Sequence, residues 1–187
     1  MQRRRFAATL GKTVVLMLAL ASGIAAAFSV AAAAATVVTI TPSDDTYVTE
    51  PAAHKDHGSL TYLRIDANPL RRGFLRFEVT GLTEPVARAT LKLYAITSHD
   101  TGVDIHAVEN SQWDETMLAH ENAPAPSAEV TGSTGELSAG TWGVVDVTPL
   151  VAGNGTYTFA LATASSRSVM IASKEAGAET APQLVVE

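Results

Sequence analysis

The sequence predicts an all-β fold, with two packed antiparallel sheets following an N-terminal export signal. Three observations lead there. Short runs of alternating apolar and polar residues recur along the chain after residue 35, and half-buried strands at such close spacing build sheets that pack face to face. Turn chemistry separates these runs, and no useful amphipathic helix, domain linker or internal repeat interrupts them. The chain has no cysteine, so packing, and not a disulfide framework, has to hold the domain together.

Met1–Ala35 reads as the export signal. Arg3, Arg4, Arg5 and Lys12 form its charged n-region, Val14 to Val30 its apolar h-region, and Ala33-Ala34-Ala35 its small-residue cleavage site, with Ala25-Ala26-Ala27 as a weaker alternative. Arg3-Arg4-Arg5-Phe6 also loosely fits a twin-arginine signal, so either the general or the twin-arginine route serves. The expected location is extracellular. The rival is a retained anchor, because the apolar run is near the minimum length for a membrane span.

Strands are expected over Thr36–Thr41, Leu60–Asp66, Gly73–Val79, Ala89–Thr97, Gly102–Val108, Thr141–Val147, Gly155–Thr163, Arg167–Ser173 and Gln183–Val186. Alternation assigns faces within them. Leu75, Phe77 and Val79 share one face and Phe74, Arg76 and Glu78 the other; Leu91, Leu93 and Ala95 share a face, as do Tyr157, Phe159 and Leu161. Asn154-Gly155 marks a tight turn, and Thr148-Pro149 opens one short helical turn through Ala152. Glu121–Ser138 is rich in Ala, Pro, Ser and Gly and reads as a long loop around a weak strand.

Charge narrows the partners. Removing residues 1–35 takes four of the 13 basic residues and no acidic ones, leaving 9 against 19 and a net charge of −10. A nucleic-acid partner is excluded on that balance, because phosphate binding needs concentrated positive charge. The absence of cysteine excludes a disulfide-linked partner and thiolate zinc sites. About 150 residues remain, enough for one domain, 36–187, with a sizeable core.

Several stretches share one resemblance. They are Asp45-Thr46-Tyr47-Val48; Gly58-Ser59 followed by Leu63-Arg64-Ile65-Asp66; Arg72 to Val79 leading into Ala89 to Tyr94; and Val103 to Val108 ahead of Trp113-x-Glu115-x-x-Leu118 and Asn122-Ala123-Pro124. Asp146 to Val151 then precedes Gly155 to Leu161, and Ser173-Lys174-Glu175 and Ala181 to Leu184 close the series. In order and spacing this resembles the DNRLRE (disaggregatase-related) domain, carbohydrate-binding module family 96. The resemblance covers about Thr41 to Glu187. It implies a jelly-roll-like β-sandwich that binds polysaccharide, acidic glycans such as alginate among them, and that often accompanies a larger secreted enzyme. Two departures stand out: His120-Glu121 replaces an expected aromatic and amide before Asn122, and no enzyme domain accompanies the module.

On the faces opposite the core, Tyr62, Arg64 and Asp66 alternate in one strand, Phe74, Arg76 and Glu78 in a second, and Thr90, Lys92 and Tyr94 in a third. Were these strands neighbours, Arg64, Arg76 and Lys92 would form a basic row flanked by Tyr62, Phe74 and Tyr94. Guanidinium forks suit carboxylates and aromatic faces suit sugar C–H surfaces, so the row would take a uronic-acid polymer. The plainer alternative is a ladder in which Asp66 and Glu78 pair with these cations across strands.

Asp44, Asp45 and Glu175 lie in segments resembling the family's terminal strands. By analogy with many β-sandwich carbohydrate modules, which place a structural calcium between such segments, Asp45 and Glu175 are the expected ligands, since calcium takes hard oxygen donors. The plainer alternative is solvated loop carboxylates. His54-x-x-His57 lacks the helix and glutamate of a zinc motif and reads as a solvated loop. His106, Trp113 and Trp142 read as structural, Trp113 anchoring Leu118 at the sandwich edge. No complete catalytic constellation appears; pairs such as Asp114/Glu115 or His106/Glu109 are unremarkable among 19 acidic residues. The expected function is a non-catalytic carbohydrate-binding module. Its alternatives are a structural or adhesive cell-surface protein and a small polysaccharide lyase or hydrolase. The expected partners are a polysaccharide and a separate secreted enzyme or cell-surface component.

Overall fold

The computed structural model describes residues 36–187; the expected export signal lies outside them. Eleven strands are formed among the described residues: β1 (Val38–Ile40), β2 (Asp44–Thr49), β3 (Tyr62–Ile65), β4 (Arg71–Val79), β5 (Ala89–Tyr94), β6 (Asp104–Val108), β7 (Gly132–Ser133), β8 (Trp142–Asp146), β9 (Gly155–Ala162), β10 (Val169–Ala172) and β11 (Gln183–Val186). The only helical segments among them are three short 3₁₀ turns, one of them the expected Thr148–Leu150.

All pairings are antiparallel. One layer is the five-stranded sheet β2-β4-β9-β6-β7. The other holds the four-stranded sheet β1-β11-β5-β8 and the pair β10-β3, which a bridge between Ala95 and Ile171 links. This is the expected jelly-roll-like sandwich. Its core is built from the predicted faces: Leu75, Phe77 and Val79 of β4, Leu91 and Leu93 of β5, and Phe159 and Leu161 of β9 are buried together with Leu63, Ile65, Ile171 and Leu184. Truncating any of the core leucines to alanine is expected to cost about 2–5 kcal/mol.

Two expectations are corrected. Asp44–Thr49 is absent from the strands expected from alternation, yet it forms β2, the edge strand beside β4, with all six residues buried. Its polar residues give no period-2 apolar signal. The basic row does not form either, because β3 pairs with β10, β4 with β2 and β9, and β5 with β11 and β8. Arg64, Arg76 and Lys92 therefore stand in three separate places.

Candidate functional site

The first place is the outer face of β5 and β8. Because β5 alternates, Leu91 and Leu93 enter the core while Lys92 and Tyr94 point outward. The register sets Tyr94 opposite Trp142 and Lys92 opposite Val144. The Tyr94 and Trp142 rings meet edge to face, with centroids 5.3 Å apart. The Lys92 ammonium lies 4.8 Å from the centre of the Trp142 ring, within cation–π range. No carboxylate lies within ion-pair distance of Lys92 among the described residues. Val144 beside them is 52% exposed. Trp142, read from sequence as structural, is only half-buried and joins this open, shallow aromatic patch with one cation.

Tyr62 and Arg64 occupy the second place, where β3 closes the sandwich edge against β2. Tyr62 stacks on Tyr47 at 6.2 Å, and Tyr47 on His57 at 4.2 Å. Burial, then Tyr62, raises the Tyr47 phenol above its usual range, and burial, then the Lys55 charge, lowers the His57 imidazole. His57, expected in a solvated loop, is buried, while His54 is exposed and pairs with Glu121 at 2.7 Å. Arg64 Nε donates to Ser168 Oγ at 2.7 Å and lies 3.4 Å from Asp66, which also pairs with Arg71 at 2.6 Å. Asp66 thus meets Arg64 along the same stretch of chain and Arg71 across a bridge, a cation outside the cross-strand ladder weighed from sequence.

Arg76 is held differently. Its guanidinium pairs with Asp44 and donates to Ser43 Oγ and to the carbonyls of Ser111 and Trp113. It also lies 5.5 Å from the Trp113 ring centre. Trp113 and Leu118 fold over the outer face of the five-stranded sheet and bury Phe74, Val48 and Ala160 in a second apolar cluster. Trp113 Nε1 donates to Thr158 Oγ1 at 3.2 Å. Phe74, expected on an open ligand face, is therefore under cover, and Trp113 anchors Leu118 as expected. A cleft of about 460 Å³ remains beside this cover, lined by Arg76, Gln112, Trp113, Asp114, Met117 and Asn122.

The fourth place gathers carboxylates. Asp45, on β2, is fully buried. Its Oδ2 accepts from the Lys174 backbone N–H at 2.7 Å, and its own N–H donates to Glu115 Oε2 at 3.1 Å. The Lys174 ammonium is 2.9 Å from Glu115 and also pairs with Glu175. Gly58 permits the close approach of the Glu115 loop, since a Cβ there would sit 2.5 Å from the Glu115 carbonyl oxygen. Burial, reinforced by the neighbouring Glu175, pushes the Asp45 carboxyl up to about 8, against the hydrogen bond from Lys174. Burial lowers the Lys174 ammonium, but the hydrogen bonds it donates to Glu175 and Glu115 outweigh this and raise it above the usual lysine range. Asp45 Oδ1 and Glu175 Oε2 are buried without a partner. Among the described residues no three acidic or imidazole groups are already set as a metal cage; this cluster is closed by Lys174. The hard-oxygen donors and the two orphaned oxygens nevertheless suit calcium. Sequence reasoning brought Asp45 and Glu175 together and missed Glu115 and Lys174, although both sit within stretches that carried the resemblance.

No curated protein matches the chain. The family model of carbohydrate-binding module family 96 matches residues 36–187, the whole of the described sandwich, and the chain belongs to that family.

Proposed function

We propose that the protein is an exported, non-catalytic module that binds an acidic polysaccharide of the alginate or pectin type through the outer face of β5 and β8. The observation that carries this reading is the grouping of Lys92, Tyr94 and Trp142. An ammonium 4.8 Å from an indole ring, with a tyrosine against the same ring, offers a uronate both of the contacts it needs. Ring faces take its C–H surface, and a cation free of carboxylate partners takes its charge. Tyr62 and Arg64 on the β3 edge offer a second ring and cation, although Arg64 is already engaged by Asp66 and Ser168, and extend the surface a polymer could follow. The reading also assigns a structural calcium to Asp45 and Glu175, and places a secreted enzyme or cell-surface component among the partners.

Affinity electrophoresis against alginate, pectin, xylan, chitin and cellulose tests it. Selective retardation by the polyuronates, weakened by added salt, is the expected result. A folded protein retarded by no glycan would overturn the reading in favour of a structural or adhesive role. Release of unsaturated or reducing ends during incubation would overturn its non-catalytic part.

A further inference from the structure

The carboxylate cluster joins three distant stretches of chain around a single ammonium. Asp45 comes from β2, Glu115 from the loop that covers the five-stranded sheet, and Lys174 and Glu175 from the turn after β10. Were Asp45, at 0% exposure, ionised along with Glu115 and Glu175, three carboxylates and one ammonium would carry a net charge of −2. Buried charge is tolerated only when compensated, and Lys174 compensates one charge of three. The place left for a further cation is marked by the buried, partnerless oxygens Asp45 Oδ1 and Glu175 Oε2. Lys174 spends its ammonium on Glu115 and Glu175 and only its backbone N–H on Asp45. A divalent ion would satisfy what a monovalent side chain leaves over. It and the ammonium cannot share the same oxygens.

We infer that Lys174 is an internal counter-ion which a hard divalent cation, calcium by its oxygen donors, displaces, with Glu115 joining Asp45 and Glu175 as the third carboxylate ligand. This rests on the calcium assignment above and adds what occupies the cluster when the ion leaves. Exchange would keep the Glu115 loop tied to both ends of the domain in either state, with the divalent ion the stronger tie. Lys174, 24% exposed along its side chain, would swing outward as the ion enters.

Calcium titration of the chelator-treated protein by calorimetry, with urea unfolding alongside, tests the site. Acetylation of lysines by acetic anhydride, read by mass spectrometry, tests the displacement. Calcium should stabilise the wild type, and Asp45→Asn should abolish the binding heat. Acetylation of Lys174 should speed up several-fold with calcium while that of Lys92 stays constant. Lys174→Gln should bind calcium about tenfold more tightly, since a competing charge is gone. Calcium binding with Lys174 acetylation unchanged or slowed would overturn the displacement and leave the calcium assignment standing. No calcium binding by wild type or Lys174→Gln would overturn both, and leave glycan binding to be judged on its own. If Lys174→Gln fails to fold, the acetylation rates of the wild type decide the matter.

Discussion

The two sheets of this sandwich treat their outer faces in opposite ways. On β4, Phe74 and Arg76 point away from the core as Lys92 and Tyr94 do on β5. Phe74 ends beneath Trp113 and Leu118, and every nitrogen of the Arg76 guanidinium is taken by a partner within the chain. On β5, Lys92 and Tyr94 meet Trp142 and remain partly exposed. An arginine beside a tryptophan and a lysine beside a tryptophan thus stand in opposite surroundings, the first held as a brace within the chain and the second left at the surface. What separates them is cover: the loop from Ser111 to Leu118 supplies carbonyls and apolar side chains over β4, and the described chain lays no such cluster over β5 and β8.

The largest effect should come from the brace. Arg76→Met leaves the Asp44 carboxylate and two loop carbonyls without their donor. Removing one partner of a largely buried pair is expensive, and a loss of about 2–3 kcal/mol in urea unfolding is expected. An Arg76→Met protein as stable as the wild type that no longer binds glycan would erase the contrast, making the covered face the ligand face.

Trp142→Ala probes the other side. Its ring is half-buried and touches Tyr94 and Lys92, so stability should fall by about 1 kcal/mol or less. Polyuronate retardation should fall about tenfold or more, as removal of a central aromatic contact does at other binding surfaces. Lys92→Gln should weaken binding less and flatten its dependence on salt. Unchanged retardation in Trp142→Ala would move the binding surface to the β3 edge with Tyr62 and Arg64.

Alternation alone told which residues of each strand share a side, because the period of a strand is fixed by its pleat. Leu75, Phe77 and Val79 entered the core as their spacing requires. Neighbour order was not legible, since a face carries no label for the strand beside it; Arg64, Arg76 and Lys92 look alike in sequence and lie in three different sheets. Nor was β2 legible. Its Asp-Asp-Thr-Tyr-Val-Thr stretch is buried by partners that lie 32 residues away for Asp44, and 70 and 129 residues away for Asp45. Burial of that kind depends on closure of the whole fold. The same long reach hid Glu115 and Lys174 as neighbours of Asp45 and Glu175. Asp45, Glu115 and Glu175 all fall within the stretches that carried the resemblance, but only the closed fold brings them together.

The smallest predicted effect is one in which the two regions should agree. Asp114, in the covering loop, and Asp146, at the end of β8, each accept from the hydroxyl and the backbone N–H of the threonine two residues on, Thr116 and Thr148. Those hydrogen bonds hold both carboxyls below the ordinary aspartate range, because they favour the ionised form. A carboxyl depressed on folding stabilises the protein above its unfolded pKa of 3.8 and loses that contribution as pH falls through its lower folded value. Asp114→Asn and Asp146→Asn should therefore each lower the unfolding midpoint slightly at neutral pH, with the difference from wild type closing as the solution is taken below 3.8. Both groups are fully exposed, so the two gaps should be small and alike. A large, acid-sensitive gap for Asp114→Asn alone would mean that the covering loop depends on this turn as well as on Arg76, and the brace would then have two anchors.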